Sequence, residues 1–292
     1  MDVLRGLLER HVLAGPHAGI DGVRILRSDH GVAPEPSMSG TVLAVMAQGG
    51  RRLETGGRSY EYGVGEYLVA SVDSPVVWHV EGAEPGRPAL GLVLTLEPAV
   101  IADLLLQADP ADLPPLGDAA QPGIAVGDAS EELIEAIVRL LRLIDRPQDQ
   151  RVMVPLIKRE IFWQLMTGAH GDIVRELGLV GSSLSHVTRS VRWIREHYTQ
   201  PFRVAEMARL SGMSRPAFYR NFQVVTGMSP IQFQKRIRLQ CARVQLANHP
   251  NDITGISHRV GYSSASQFSR EYRRLFGAPP SVDATQLRLE RS

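Results

Sequence analysis

The chain is short of several things that would fix its architecture at once. Its 292 residues include one cysteine, Cys241. A single thiol makes no intrachain disulfide and no thiolate metal cluster, and it fits a reducing compartment. Long apolar runs are also missing. The longest charge-free one, Pro88 to Leu96, is far below the ~20 residues that span a bilayer. Asp2, Arg5, Glu9 and Arg10 interrupt the apolar residues of the N-terminus, so no signal peptide is expected there. A cytoplasmic protein without membrane association follows. Overall charge is nearly balanced, with 32 Lys and Arg against 31 Asp and Glu. Hydrophobic residues make up 43% and charged ones 22%, which excludes disorder, a collagen-like fibre and a disulfide mini-protein. The length predicts two domains.

The balance of charge hides an asymmetry. From Ser190 onward there are 16 Lys and Arg and 6 Asp and Glu, a net of +10. The preceding 189 residues carry 16 basic and 25 acidic groups, a net of −9. An acidic body joined to a basic module points to a polyanionic partner. Docking of two oppositely charged halves is the alternative that charge alone leaves open.

The first part reads as short strands. Val23 to Leu26, Thr41 to Met46, Ser59 to Tyr62, Glu66 to Ala70, Val76 to Val80 and Leu90 to Leu96 are β-branched, aromatic or alternating runs. Gly49-Gly50, Gly56-Gly57, Gly63, Gly65, Ser74-Pro75 and Pro85-Gly86 punctuate them, as in an antiparallel sandwich or barrel. Pro98 to Leu106 then predicts a short apolar helix, and Pro110, Pro114, Pro115 and Pro122 a loop. A helix from Glu131 to about Ile144, capped by Asp128 or Ser130, and another from about Met153 to Met166 follow. Their apolar faces suit either packing on the β domain or a dimer seam. Asp145 and Asp149 flank Arg146-Pro147 and mark a solvated loop, and residues 178–183 resemble a hinge.

From Ser185 the sequence is helical. Val204 to Leu210, the turn Ser211-Gly212-Met213, the N-cap Ser214 and the segment Arg215 to Val225 form a helix-turn-helix pattern. Asp252, Ile253 to Val260, Gly261-Tyr262 and Ser264 to Leu275 repeat it. Phe218, Arg220, Phe222 and Gly227 recur 50 positions on as Phe268, Arg270, Tyr272 and Gly277. Ser229-Pro230 opens the long helix between the units, with Ile231, Ile237, Leu239, Cys241, Val244 and Leu246 on its expected apolar face. At ~100° per residue, Phe218, Phe222 and Val225 share one side of the first second-helix, and Pro216, Tyr219, Arg220 and Gln223 the other. In its counterpart Phe268, Tyr272 and Leu275 oppose Ser266, Ser269, Arg270 and Arg273. A helix fits the major groove, where Arg can bond guanine O6 and N7 and Ser or Gln can reach bases or phosphates. Two such helices ~34 Å apart can enter successive grooves.

These segments carry a resemblance. Ser211 to Ser214, Phe218 to Phe222 and Thr226 to Pro230, then Val260 to Pro280, resemble the DNA-binding domain of the AraC/XylS family of bacterial transcription regulators. Gln48 to Arg51, Tyr62 to Val69, Ser71 to Val76 and Pro88 to Leu92 resemble that family's cupin-like N-terminal domain. The resemblance implies an α+β protein: an N-terminal cupin-like antiparallel β-barrel with trailing helices and a C-terminal all-α domain of two helix-turn-helix units. The expected divisions are a β sensor domain at 1–125, a helical dimerisation or linker region at 126–184, and the DNA-binding domain at 185–292. The DNA-contact candidates are Arg215, Pro216, Tyr219, Arg220, Gln223, Ser266, Ser269, Arg270 and Arg273. Pro216, Gln223 and Cys241 depart from the residues common in the family, so Arg220 and Arg270 carry most of the expectation. The implied partners are a double-stranded DNA operator, RNA polymerase, an unknown small-molecule effector and a second copy of the chain. Activation is the implied sign, with repression the alternative.

Other chemistry is weaker. A cupin metal site has a His-x-His pair, whereas Trp78-His79-Val80 offers one imidazole, and His11, His17 and His30 are scattered. No metal, cofactor or catalytic residue is expected. Met46, Tyr67 and Trp78 are candidates for an effector pocket inside the barrel, with core packing as the competing role. Cys241 near Arg238 and Arg243 suits either a redox-sensitive thiolate or a buried thiol. The regulator reading stands against a cupin-like enzyme fused to a basic module, and against a sequence-blind nucleic-acid binder.

Overall fold

The structure, a computed structural model, describes residues 1–12, 19–30, 34–114, 120–179 and 181–289. His17, Pro115 and position 180 of the expected hinge lie outside them. The chain divides into two compact units. One takes in Met1–Thr188 and Val224–Gly227, the other Arg189–Gln223 and Met228–Ser292.

The first unit opens on helix α1 (Asp2–Val12). Eight strands follow: β1 (Val23–Ser28), β2 (Glu35–Met38), β3 (Val42–Gln48), β4 (Gly50–Thr55), β5 (Arg58–Tyr62), β6 (Glu66–Ala70), β7 (Pro75–Glu81) and β8 (Ala89–Thr95). Helix α2 (Pro98–Gln107), strand β9 (Ile124–Asp128) and helices α3 (Glu131–Arg142), α4 (Pro147–Thr167) and α5 (Gly171–Gly178) complete it. The strands form two antiparallel sheets, ordered β1-β8-β3-β6-β9 and β2-β7-β4-β5.

The uninterrupted apolar run in β3 is buried at every position because its sheet is covered on both faces. Leu43, Val45, Tyr67, Val69, Leu92 and Leu94 face a core shared with Leu8 of α1, Ile137 and Leu141 of α3, and Phe162 of α4. Val42, Ala44, Met46, Leu68 and Val93 face the opposite way and meet Leu53, Tyr62 and Val76 of the smaller sheet. Each large aliphatic or aromatic side chain so buried contributes roughly 1.5–3 kcal/mol. The α3 and α4 helices therefore pack on the sheet through Ile137, Ile161 and Phe162.

Several boundaries differ from the expectations. Helix α4 starts at Pro147, not near Met153, since proline needs no N–H in the first turn. Asp149 lies in that first turn, where it suits the positive end of the helix. The Asp145–Asp149 pair thus marks a 3-10 turn and a helix start, not a loop. Strand β4 hides between glycine pairs. Gly56 and Gly57, both at positive φ, make the hairpin turn, whereas Gly50 belongs to the strand and pairs with Glu81.

The second unit takes the later part of helix α6 (Ser183–Glu196), then α7 (Val204–Leu210), α8 (Arg215–Thr226) as far as Gln223, α9 (Pro230–Asn248), α10 (Ile253–Arg259), α11 (Ala265–Phe276) and α12 (Pro280–Leu289). Ser229 caps α9 reciprocally with Gln232. Helix α9 changes its buried side midway. Phe233 and Ile237 lie on one side, with the Phe233 ring 5.4 Å from Phe222. Leu239, Ala242 and Leu246 lie on the other, among Ile256, Phe268 and Tyr272. Each end of α9 is thus covered on one side only. Ile231 and Val244, expected on a single apolar face, sit on the uncovered sides and are 50% and 64% exposed.

Candidate nucleic-acid interface

The two helix-turn-helix units are built alike. In the first, the Met213 N–H donates to the Ala208 carbonyl at 2.9 Å; in the second, Tyr262 N–H donates to Ser257 at 2.9 Å. Gly212 and Gly261 supply the positive φ of each turn, at 67° and 91°. Ser214 and Ser264 cap the following helices through the Ala217 and Gln267 N–H groups. Gly277 closes α11 in the left-handed conformation.

The buried side of α8 is Phe218, Phe222 and Val225, and that of α11 is Phe268 and Tyr272. Their packing turns the remaining side chains outward. Arg215, Pro216, Tyr219, Arg220 and Gln223 are exposed on α8. On α11, Ser266, Arg270 and Arg273 are exposed and Ser269 is half-buried. Among the described residues, no side-chain hydrogen bond or ion pair engages Arg215, Arg220, Arg270 or Arg273.

Other basic groups of this unit are committed. The Arg243 guanidinium donates twice to the buried Asp283 carboxylate, at 2.8 and 3.1 Å, and Tyr272 donates to it at 2.6 Å. Lys235, Tyr262 and Gln267 all donate to Glu271, at 2.7, 2.8 and 3.1 Å. Burial pushes the Glu271 carboxyl up, but these three donors outweigh it and hold the group below the usual carboxylate range. Arg238 donates to the Tyr198 carbonyl at 2.6 Å and to that of Gly261 at 2.8 Å. It joins the segment after α6 to the turn of the second helix-turn-helix. A side chain at Gly261 would meet the Thr199 oxygen at 2.3 Å, so that approach requires glycine. Sequence reading missed Glu271, Asp283 and the role of Arg238. Glu271 and Asp283 were visible only as rare acids in a basic stretch.

The sequence left two roles open for Cys241. It is partly buried, and burial pushes its thiol up despite the Tyr198 hydrogen bond and nearby Arg195. Arg238 and Arg243, expected to favour a thiolate, are engaged by carbonyls and by Asp283. The expected pocket trio also separates. Met46 and Trp78 join the core between the sheets, whereas Tyr67 lies across its sheet, in the core with the helices. Met46 and Tyr67 are 0% and 5% exposed, and Arg51 stacks 5.2 Å from the Trp78 ring. His79 is half-buried beside Glu54, with its Nε2 3.3 Å from the carboxylate. Among the described residues no three His, Cys, Asp or Glu are placed to hold a metal ion. No helix among them is long and apolar enough to cross a membrane.

Comparison with known proteins adds to this geometry. The family model described as the N-terminus of AraC-type transcriptional regulators matches residues 19–173, and a helix-turn-helix domain model matches residues 207–286. The chain is 28% identical over 163 residues to the virulence regulon transcriptional activator VirF of Yersinia enterocolitica. It is 27% identical over 164 residues to the HTH-type transcriptional regulator ExsA of Pseudomonas aeruginosa. These matches take in 54% and 56% of this chain and 58% of each relative, so the chain spans somewhat over half the length of the curated relatives it matches. Among solved structures, apo ToxT from Vibrio cholerae superposes with a TM-score of 0.57 at 11% identity, covering 91% of this chain and 98% of that one. At that identity the likeness is one of fold.

Proposed function

The chain belongs to the AraC-type family of transcriptional regulators, and from that premise we propose that it binds a double-stranded DNA operator selectively through α8 and α11. The observation that carries this reading is the pair of matched helices whose outward arginines have no partner within the described residues. Nineteen residues of α9 between them run about 28 Å, close to one duplex turn. Arg220 and Arg270 read guanine edges in successive major grooves. Arg215, Tyr219, Gln223, Ser266, Ser269 and Arg273 reach phosphates or neighbouring bases, and Pro216 packs near the groove wall.

The N-terminal part, 1–125, senses a small molecule, and the helices of 126–184 pair two copies of the chain. Val152, Met153 and Leu156 supply the apolar side of α4 for that seam. The DNA-binding domain is 185–292. An effector acts by binding the DNA-competent arrangement more tightly than the incompetent one. Contact with RNA polymerase then makes the protein an activator in the cytoplasm. No catalytic step is assigned to it.

The test is binding of the full-length protein to DNA upstream of its own gene and its neighbours, against random duplex, at ~150 mM salt, where sequence-blind Kd values are typically 10⁻⁴–10⁻⁶ M. Selective binding that disappears in the Arg220→Ala, Arg270→Ala double variant is the expected result. Equal, weak binding to every duplex, with effector absent or present, refutes the reading.

A further inference from the structure

A cavity of about 630 Å³ opens in the first unit between the approach to β1, the start of α2 and helix α4. That volume lies in the range of small-molecule sites. Ile20, Val100, Val154 and Pro155 give it apolar walls. Lys158 lines it on the core side of α4, in the register of Ile157, Ile161 and Phe162.

Lys158 is the informative residue. It is 7% exposed, so its ammonium has largely left water. An ammonium has three N–H donors. Among the described residues one is used, toward Glu97 Oε1 at 2.7 Å, and the Glu97 side chain is itself 42% exposed. A buried cation with donors left over and a half-solvated counter-ion is costly in an empty protein. An apolar residue would serve packing better at this position. The same turn of α4 leaves a second polar group without its helical partner. Pro155 has no N–H, so the Arg151 carbonyl one turn earlier loses its helical donor. Arg151 and Pro155 both line the cavity, and no side-chain partner engages the exposed Arg151 guanidinium among the described residues. Gly22 lets the chain pass close beneath: its φ is +75°, and a Cβ there would sit 3.3 Å from Lys158 Nζ.

We propose that this cavity binds a small carboxylic acid with an apolar body. The carboxylate accepts a Lys158 N–H and pairs with Arg151 at the rim, while a ligand hydroxyl donates to the Arg151 carbonyl. The site lies outside the space between the sheets, and its helix also carries Val152, Met153 and Leu156. Occupancy that fixes α4 is therefore linked to pairing of two copies, each favouring the other. That regulatory role rests on the regulator reading above; the binding itself does not.

The experiment uses full-length protein without DNA. It is titrated calorimetrically with benzoate, 4-hydroxybenzoate and octanoate, and with benzyl alcohol as the uncharged probe. At least one acid saturates, benzyl alcohol binds at least about tenfold more weakly, and Lys158→Met weakens the acid by about tenfold, as expected for a charge-assisted hydrogen bond. The thermal melt of Lys158→Met reports whether it folds. If it does not, Arg151→Gln, at an exposed position, gives the same comparison with a loss of roughly threefold or more. Failure of all three acids to saturate, equal binding of the alcohol, or unchanged affinity in the folded variants overturns the proposal. With no DNA present, such a failure leaves operator binding standing, and loss of operator binding leaves this result intact.

Discussion

Arg270 and Arg243 are the same residue type in the same basic unit, and their surroundings give them opposite jobs. Arg243 fixes its fork on Asp283, which is 4% exposed and also holds the Tyr272 hydroxyl. Arg270 is exposed beside Ser266 on α11, with no protein acceptor for its guanidinium among the described residues. Arg270→Ala should therefore leave the melting temperature unchanged and cost ~1–3 kcal/mol at the preferred operator, with little loss on random duplex. Arg243→Ala strands a buried carboxylate and should destabilise the protein by on the order of 3 kcal/mol. Thermal melts paired with binding to specific and random DNA separate the two. An equal loss on all sequences in Arg270→Ala would demote that residue to a phosphate contact.

Between elements, the sharpest dependence is on Glu271, which joins α11 to α9 through Lys235 and to the second turn through Tyr262. Its carboxyl is held below the ordinary value near 4.3. A depressed carboxyl binds fewer protons folded than unfolded, so its contribution is complete above ~4.3 and is lost as pH falls through the folded value. Wild type should melt above Glu271→Gln at pH 6, and the gap should close as pH drops below about 4. A gap that stays constant with pH would show that charge is not what Glu271 contributes. The ends of α8, α10 and α11 were legible beforehand because Ser214, Asp252, Ser264 and Gly277 are local signals. The two-sided burial of α9 was not, because periodicity reports one stripe and the partners of this helix change midway. Alternation along a strand does not tell which side meets helices, so the pocket trio was drawn across a sheet, with Met46 on one side and Tyr67 on the other. Nor did local signals reveal Lys158: a lysine four residues before Phe162 reads as an ordinary polar break until Glu97, 61 positions away, closes on it.

For the whole molecule, the question is what covers α4. The helix buries Ile157, Ile161, Phe162 and Leu165 in the core, yet Val152 and Leu156, one turn apart, are 63% and 55% exposed, with Met153 beside them at 40%. Isolated exposed apolar residues are ordinary, but three on neighbouring positions of one helix form a patch that a second copy can bury. An isologous pairing places this patch against itself. Leu156→Glu then sets two carboxylates into the seam, while on an isolated chain it only replaces an exposed apolar group by a solvated one. The expected outcome is a wild-type dimer at micromolar concentration by sedimentation, a monomeric Leu156→Glu variant and an unchanged melt at low protein concentration. Pairing also makes binding of the second DNA-binding domain intramolecular once the first is bound, so avidity exceeds the single-site affinity by a factor on the order of 10²–10⁴ where the geometry allows both to engage. The variant should therefore lose affinity for an operator with two half-sites and keep its affinity for one. A wild type that sediments as a monomer, or a variant that still pairs, places the contact on another surface. Retained affinity for paired half-sites in a monomeric variant would mean that DNA assembles the two copies without α4.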